Sequence, residues 1–141
     1  MKIILPNDAN ETIIPVTEPK QTLGQHVLIE LYDCPFAILS DEVLARHTIE
    51  IASRAIGAEL LNMMVHRFEP HGLTALGLLS ESHISIHTWP EHAFIAIDLF
   101  TCGNCKPMAG YPVFLQAYQP KYHHYQEIRR GVPHSLIDKY R

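Results

Sequence analysis

The residues best suited to chemistry lie in one stretch from Ser80 to Cys105, which reads SESHISIHTWPEHAFIAIDLFTCGNC. Serine hydroxyls, histidine rings, carboxylates and two thiols occur together in it. Such side chains act as nucleophiles, as general bases or as metal ligands. Three kinds of site are therefore possible: a metal site, a nucleophile with its base, and a serine that modifies its own chain.

A metal site would use His83 and His87, which are four residues apart, together with the C-x-x-C pair Cys102 and Cys105. Four such ligands suit tetrahedral zinc. On a strand, however, residues four apart lie about 13 Å from each other, too far to bind one ion together. We predict that no metal is bound, and a non-catalytic zinc-binding module remains an alternative.

A nucleophile with its base could be Ser82 or Cys102, activated by His83 or His87. The chain lacks the Gly-x-Ser-x-Gly elbow of the α/β hydrolases, which argues against conventional hydrolase chemistry.

The third possibility is an internal rearrangement at Glu81-Ser82. The serine hydroxyl would attack the preceding carbonyl and convert the amide to an ester. A base such as His87 would then remove the α-proton and eliminate the ester, and the resulting dehydroalanine would hydrolyse to a pyruvoyl group. This ketone is an electron sink of the kind that pyridoxal phosphate provides. The rearrangement needs a strained bond before the serine and a base nearby.

The composition of the chain limits the functions that these residues can have. The chain has 141 residues, of which 47% are hydrophobic and 18% charged, and it carries a formal charge of -4. These values predict one globular domain and argue against binding to nucleic acid or to an anionic membrane. No apolar run approaches the roughly 20 residues of a membrane span, and the N-terminus lacks the apolar core of a signal peptide. Three cysteines form no disulfide framework, so we expect a cytoplasmic protein.

The elements that position these residues follow an α+β pattern rather than alternating β and α units. We predict an extended leader over residues 1–21, a domain over 22–131 and a tail over 132–141. A first strand begins at His26, and a helix begins with Ser40 as its N-cap and ends before Gly57. Further strands are predicted at 60–68, 73–80, 83–88, 93–101 and 121–129, and a weaker helix at 107–118.

The segment Ala93 to Phe100 is apolar on both faces apart from Asp98, which predicts a strand that is covered on both sides. A single helix layer covers one face, so a second sheet from a partner subunit would cover the other. We interpret Asp98 as a hydrogen-bonded structural acid, Cys34 as a small buried residue and Cys105 as incidental to any site.

The run SESHISIHTWPE followed by IDLFTCG resembles the signature of the prokaryotic pyruvoyl-dependent S-adenosylmethionine decarboxylases. The similarity extends from GQHVLIELYDC, which begins at Gly24, through HRFEPHG at 66–72 to RRG at 129–131. It implies a two-layer α/β sandwich in which an antiparallel sheet carries helices on one face. It also implies a homodimer that packs sheet to sheet or edge to edge, with the active sites near the interface.

Residue by residue, the resemblance implies cleavage between Glu81 and Ser82, with Ser82 becoming the covalent pyruvoyl cofactor. His87 matches the histidine that removes the α-proton during processing. Cys102 matches the cysteine that returns a proton to the substrate carbon after carbon dioxide leaves. Thr74 occupies the position of a serine that supports processing, so a hydroxyl is kept.

The resemblance places Phe68 and Trp89 in the substrate pocket, although their residue types alone would suggest core aromatics. A sulfonium ion over either ring would gain roughly 0.5–2 kcal/mol. Glu91 is a candidate for contact with the ribose or the amine. The implied reaction converts S-adenosylmethionine to the aminopropyl donor for spermidine synthesis. Two alternatives remain: a pyruvoyl enzyme acting on arginine or ornithine, and an unprocessed, non-catalytic homologue that serves as a partner subunit.

Overall fold

Six strands form a single antiparallel sheet with the spatial order β2-β3-β4-β5-β1-β6 in the computed structural model, which describes residues 22–80 and 82–137. The predicted leader 1–21, Glu81 of the predicted cleavage site and residues 138–141 of the predicted tail lie outside the described residues. β4 is central, paired with β3 on one side and β5 on the other. The stretch that carries the candidate chemistry therefore runs through the middle of the sheet.

The predicted α+β architecture is confirmed, and each predicted strand is present to within two residues. The strands are β1 Gly24–Tyr32, β2 Leu60–Arg67, β3 Leu73–Leu79, β4 Ser82–Trp89, β5 Phe94–Cys102 and β6 Tyr122–Arg130. The helices are α1 Glu42–Ile56, α2 Tyr111–Tyr118 and the short α3 His134–Ile137. Short 3-10 turns occupy Phe36–Ser40, Pro90–His92 and Pro107–Gly110, so the predicted helix over 107–118 divides into a 3-10 turn and α2.

The N-cap of α1 differs from the predicted one. Asp41, not Ser40, is the N-cap, and its carboxylate accepts a hydrogen bond from the Leu44 amide at 2.9 Å. The Ser40 hydroxyl instead accepts from the Gly72 amide at 3.1 Å. Ser40 is unavailable because it ends the preceding 3-10 turn and anchors the loop before β3. Gly57 ends the helix in the left-handed conformation, as predicted.

The core lies between the sheet and the two longer helices, which pack on the same face. Alternate residues of the central strands point into it, among them Val27, Ile29, Ile84, Ile86, Ile95, Ile97 and Leu99. A Cβ added to Gly77 would lie 2.7 Å from Cγ2 of Ile49, so this glycine lets α1 approach the sheet closely. Burying each large aliphatic side chain here contributes about 1.5–3 kcal/mol.

The opposite face of the sheet, called the open face below, keeps large apolar side chains exposed. They include Met64, Leu76, Leu78, Trp89 and Ile128, and Met64 is 70% exposed. Asp98 also lies on this face, in register with Ser85 of β4. The helices of this chain thus cover one face of β5, and the open face is the other. Within the described residues, no helix is long and apolar enough to cross a membrane.

Candidate active site

Ser82 is the first residue of β4, where it pairs with Leu79 of β3 and Thr101 of β5. Its φ is +134°, a conformation that L-residues rarely adopt. Such a backbone costs about 1–3 kcal/mol and persists only where the surrounding structure enforces it. Pairing on both sides supplies that constraint. Strain therefore lies at the residue where the serine rearrangement would require it.

Cys102 is the last residue of β5 and directly follows Thr101, the register partner of Ser82. Its thiol is exposed, whereas Cys34 and Cys105 are buried. Burial, reinforced by the nearby Asp33 carboxylate, raises the pKa of Cys34 to about 11. These placements confirm the prediction for Cys34 and put Cys102 beside the strained serine.

Cys105 lies with its sulfur 3.5 Å from the Gly57 carbonyl oxygen, which marks the end of α1. Its packing is with the helix terminus rather than with the open face. No group of three or more histidine, cysteine or acidic side chains that could hold a metal ion occurs within residues 22–80 and 82–137.

A second group of site residues surrounds a cavity of about 460 Å³ at the other end of β4. It is lined by Phe68, Glu69, Pro70, His71, Thr74, His87, Thr88, Trp89 and Glu91, and we call it the aromatic pocket. Phe68 is 50% and Trp89 40% exposed, so neither is the core aromatic that its residue type alone would suggest. Phe68 escapes the core because it lies in the loop after β2, and Trp89 because it points to the open face.

His87 and Thr74 are register partners on β4 and β3, with Thr74 Oγ1 2.9 Å from His87 Nδ1. The contact fixes the orientation of the imidazole ring and brings together two residues that are 13 apart in the chain. The aromatic pocket thus contains both predicted processing residues and all three predicted substrate contacts.

The loop over residues 68–72 forms one wall of the aromatic pocket and is tightly anchored. The Phe68 amide donates to the Gly72 carbonyl at 2.9 Å. The Leu73 amide donates to the Thr88 hydroxyl at 2.9 Å, and that hydroxyl donates to the Leu39 carbonyl at 2.7 Å. Gly72 has a φ of +95°, and a Cβ on it would lie 3.2 Å from the Thr88 carbonyl oxygen. The bond between Glu69 and Pro70 is cis.

The two groups of site residues are well separated within one chain. Ser82 and His87 lie on the same strand five residues apart, which corresponds to about 16 Å at the usual rise. Cys102 lies at the Ser82 end. One protomer therefore presents a serine–cysteine group at one end of β4 and the aromatic pocket at the other.

A polar network on the open face lies between these groups. Asp98 accepts from the Ser85 hydroxyl at 2.9 Å, and its other carboxylate oxygen is 2.8 Å from His26 Nε2, which confirms its interpretation as a hydrogen-bonded acid. The Arg130 guanidinium stacks 4.7 Å from the centre of the Phe100 ring. His26 and Arg130 have no role that the sequence predicts, because each lies far along the chain from the stretch between Ser80 and Cys105. Pairing of β1 with both β5 and β6 brings them to it.

His83, next to Ser82, faces His26 and Phe100 across the neighbouring strands. Burial lowers the pKa of His83, and the nearby Asp98 carboxylate opposes this shift. His71, which pairs with Glu91 in the aromatic pocket, was also given no role from the sequence.

The chain is similar to known proteins over most of its length. A family model described as S-adenosylmethionine decarboxylase matches residues 25–131. A relative from Prochlorococcus marinus (strain MIT 9313), named S-adenosylmethionine decarboxylase proenzyme, is 46% identical over 115 residues, covering 81% of this chain and 92% of the relative. A relative of the same name from Methanococcus maripaludis is 40% identical over 111 residues, covering 78% and 91%.

The crystal structure of the adenosylmethionine decarboxylase from Aquifex aeolicus VF5 is similar in fold, with a TM-score of 0.72 and 34% sequence identity. The match covers 80% of this chain and 94% of that chain. The family model spans most of the described domain, and the relatives are matched over nearly their whole length. The chain therefore belongs to the S-adenosylmethionine decarboxylase family.

Proposed function

We propose that the protein decarboxylates S-adenosylmethionine with a pyruvoyl group that it makes from Ser82 by cleavage at Glu81-Ser82. The observation that carries this proposal is the positive φ of Ser82 at the motif position of a family member. The name proenzyme, given to the relatives, fits a chain that is processed. The product would be decarboxylated S-adenosylmethionine, the aminopropyl donor for spermidine synthesis.

The residues around Ser82 fit such a group. Ser82 is partly exposed, it begins a strand, and Cys102 lies just beyond its register partner. A pyruvoyl ketone at this position would supply an electron sink for the substrate carbon that loses carbon dioxide. The Cys102 thiol then returns a proton to that carbon. Delivery to the substrate rather than to the cofactor keeps the enzyme active.

The aromatic pocket supplies the substrate contacts. Phe68 and Trp89 offer exposed ring faces to the sulfonium and the adenine. Glu91 accepts hydrogen bonds from the ribose or the amine. His87, held by Thr74, removes the α-proton of a serine during processing.

The separation along β4 leads us to propose that each active site is shared by two protomers. In a symmetric dimer packed through the open faces, a two-fold axis near the middle of β4 would bring Ser82 of one protomer opposite His87 of the other. The exposed apolar residues of the open face and an apolar depression of about 520 Å³ on it support this packing. Packed sheets lie about 10 Å apart, close enough for side chains from both to share a site.

The test combines intact mass with carbon dioxide release. We expect two chains, 1–81 and 82–141, the second lighter by one ammonia than an N-terminal serine would make it. Carbon dioxide should be released from S-adenosylmethionine and not from arginine or ornithine. The variant Ser82→Ala should stay intact and inactive, whereas Ser80→Ala, in which a neighbouring serine is changed, should still be cleaved. An intact wild-type chain would support the non-catalytic alternative instead, and release from arginine or ornithine would reassign the substrate.

A further inference from the structure

The His71 ring and the Glu91 carboxylate contact each other on the wall of the aromatic pocket. Nε2 of His71 lies 3.1 Å from Oε2 of Glu91. An ionised carboxylate has no proton to donate, so the contact is favourable when Nε2 of His71 carries a proton. The pair joins the loop after β2 to the 3-10 turn after β4.

His71 is held in place from several directions. Its ring meets the edge of Phe36, with the ring centres 5.4 Å apart. The following residue, Gly72, is fixed by its amide to the Ser40 hydroxyl and by its carbonyl to the Phe68 amide. The His71 side chain is 29% exposed and that of Glu91 47%. His71 is thus the more constrained member of the pair.

We propose that His71 is a positioning residue that orients the Glu91 carboxylate toward a hydroxyl of the substrate's nucleoside. The inference rests on the proposed function, which places the nucleoside against Phe68 and Trp89. His71 contacts Oε2, so Oε1 stays available for the ligand. A carboxylate already oriented loses less freedom on binding, which favours affinity.

The expected kinetic result depends on which part of the substrate Glu91 would contact. Glu91 would contact a part of the substrate that does not change during decarboxylation. Loss of its orientation should therefore raise KM and leave kcat nearly unchanged. A His71 that merely stabilises the loop would change the processed fraction or the melting temperature instead.

The experiment measures the Kd of 5′-methylthioadenosine by titration calorimetry. This probe carries the nucleoside but lacks the aliphatic amine of the substrate, so it does not condense with a ketone. We expect His71→Leu to raise the Kd about three- to tenfold because a partly exposed polar contact with a charged group is lost. His71→Gln, which keeps a donor near the position of Nε2, should remain within about twofold of wild type. KM for S-adenosylmethionine should follow the same order.

A double-mutant cycle identifies the partner. Combining His71→Leu with Glu91→Ala should weaken binding no more than Glu91→Ala alone, because without the carboxylate His71 has no group left to orient. The matched control is His47→Leu, which breaks a histidine–glutamate pair on α1 and should leave the Kd unchanged. Additive effects of the two pocket variants, or an unchanged Kd in His71→Leu, would overturn the inference.

The outcomes separate this inference from the proposed function. A wild-type protein that binds the probe but releases no carbon dioxide from S-adenosylmethionine contradicts the function, while the cycle still tests the pair. A wild-type protein that decarboxylates S-adenosylmethionine with the same Kd and KM as His71→Leu contradicts the inference alone.

Discussion

Thr74 Oγ1 lies 2.9 Å from Nδ1 of His87, across the β3–β4 pair in which the two residues are register partners. The Thr74 hydroxyl contacts Nδ1 of His87 and leaves Nε2 available to act as a base in the aromatic pocket. A hydroxyl can donate to Nδ1 or accept from it, so the contact fixes the orientation of the His87 ring and is compatible with either tautomer. The threonine methyl does not prevent the contact.

This geometry predicts that Thr74→Val slows processing about five- to tenfold, because valine keeps the shape and removes one hydrogen bond of ordinary strength. Thr74→Ser should process at nearly the wild-type rate. The measurement is the fraction of cleaved chain over time by intact mass. Equal rates for the valine and serine variants would show that the hydroxyl has no role.

The shared site predicts complementation between two inactive variants. Ser82→Ala and His87→Ala should each stay uncleaved alone. When they are co-expressed, half of the dimers are mixed and each has one complete site, so about a quarter of wild-type activity should return.

Intact mass gives the sharper result, because cleavage should appear only in the His87→Ala chain. Co-expression of His87→Ala with the double variant Ser82→Ala/His87→Ala, in which Ser82 is present and no chain supplies His87, is the control and should give no cleavage. If the His87→Ala chain stays intact in the mixture, the site is not shared between protomers.

The three cysteines should differ in reactivity toward iodoacetamide at neutral pH. The thiolate is the reactive form. Cys102 is exposed and should be alkylated first, with loss of decarboxylase activity. Cys34 should resist because it is buried and its pKa is raised to about 11.

Peptide mapping after partial labelling checks this order. Cys102→Ala should remove the fast phase, and Cys105→Ala, a change at the buried cysteine of the same motif, should keep it. Faster labelling of Cys34 or Cys105 than of Cys102 would contradict the assignment.

His83 should make the fold less stable in acid. Burial lowers the pKa of His83 in the folded protein below its usual 6.5. Below pH 6.5, His83 therefore binds a proton more readily in the unfolded chain than in the folded protein. The free energy of unfolding is largest above pH 6.5 and falls as the pH drops toward the pKa of His83 in the folded protein.

Thermal melting at pH 7.5 and pH 5.5, about one unit either side of that value, measures the effect. His83→Gln should show a smaller fall in Tm than wild type. His92→Gln, which changes an exposed histidine, should fall as wild type does. An identical fall in the wild type and in His83→Gln would mean that His83 does not contribute.

Much of the fold follows from local patterns. Alternating apolar residues predict the strands, and apolar residues at helical spacing with Gly57 at the end predict α1, because both depend on neighbours in the chain. The N-cap is different. Ser40 and Asp41 are equally suitable cap residues by type, and the choice depends on Gly72, which lies 32 positions away and engages the Ser40 hydroxyl.

By itself the sequence determined the family, because the motifs around Ser82, His87 and Cys102 occur in order at fixed spacing, and the comparisons confirm that prediction. What the tertiary structure decided is which residues share a location. Along a strand, separation in sequence becomes separation in space, so β4 holds Ser82 and His87 apart. Strand pairing acts in the opposite way and brings Thr74 to His87 and Thr101 to Ser82. Register between strands is set by packing of the whole sheet, which no single motif contains.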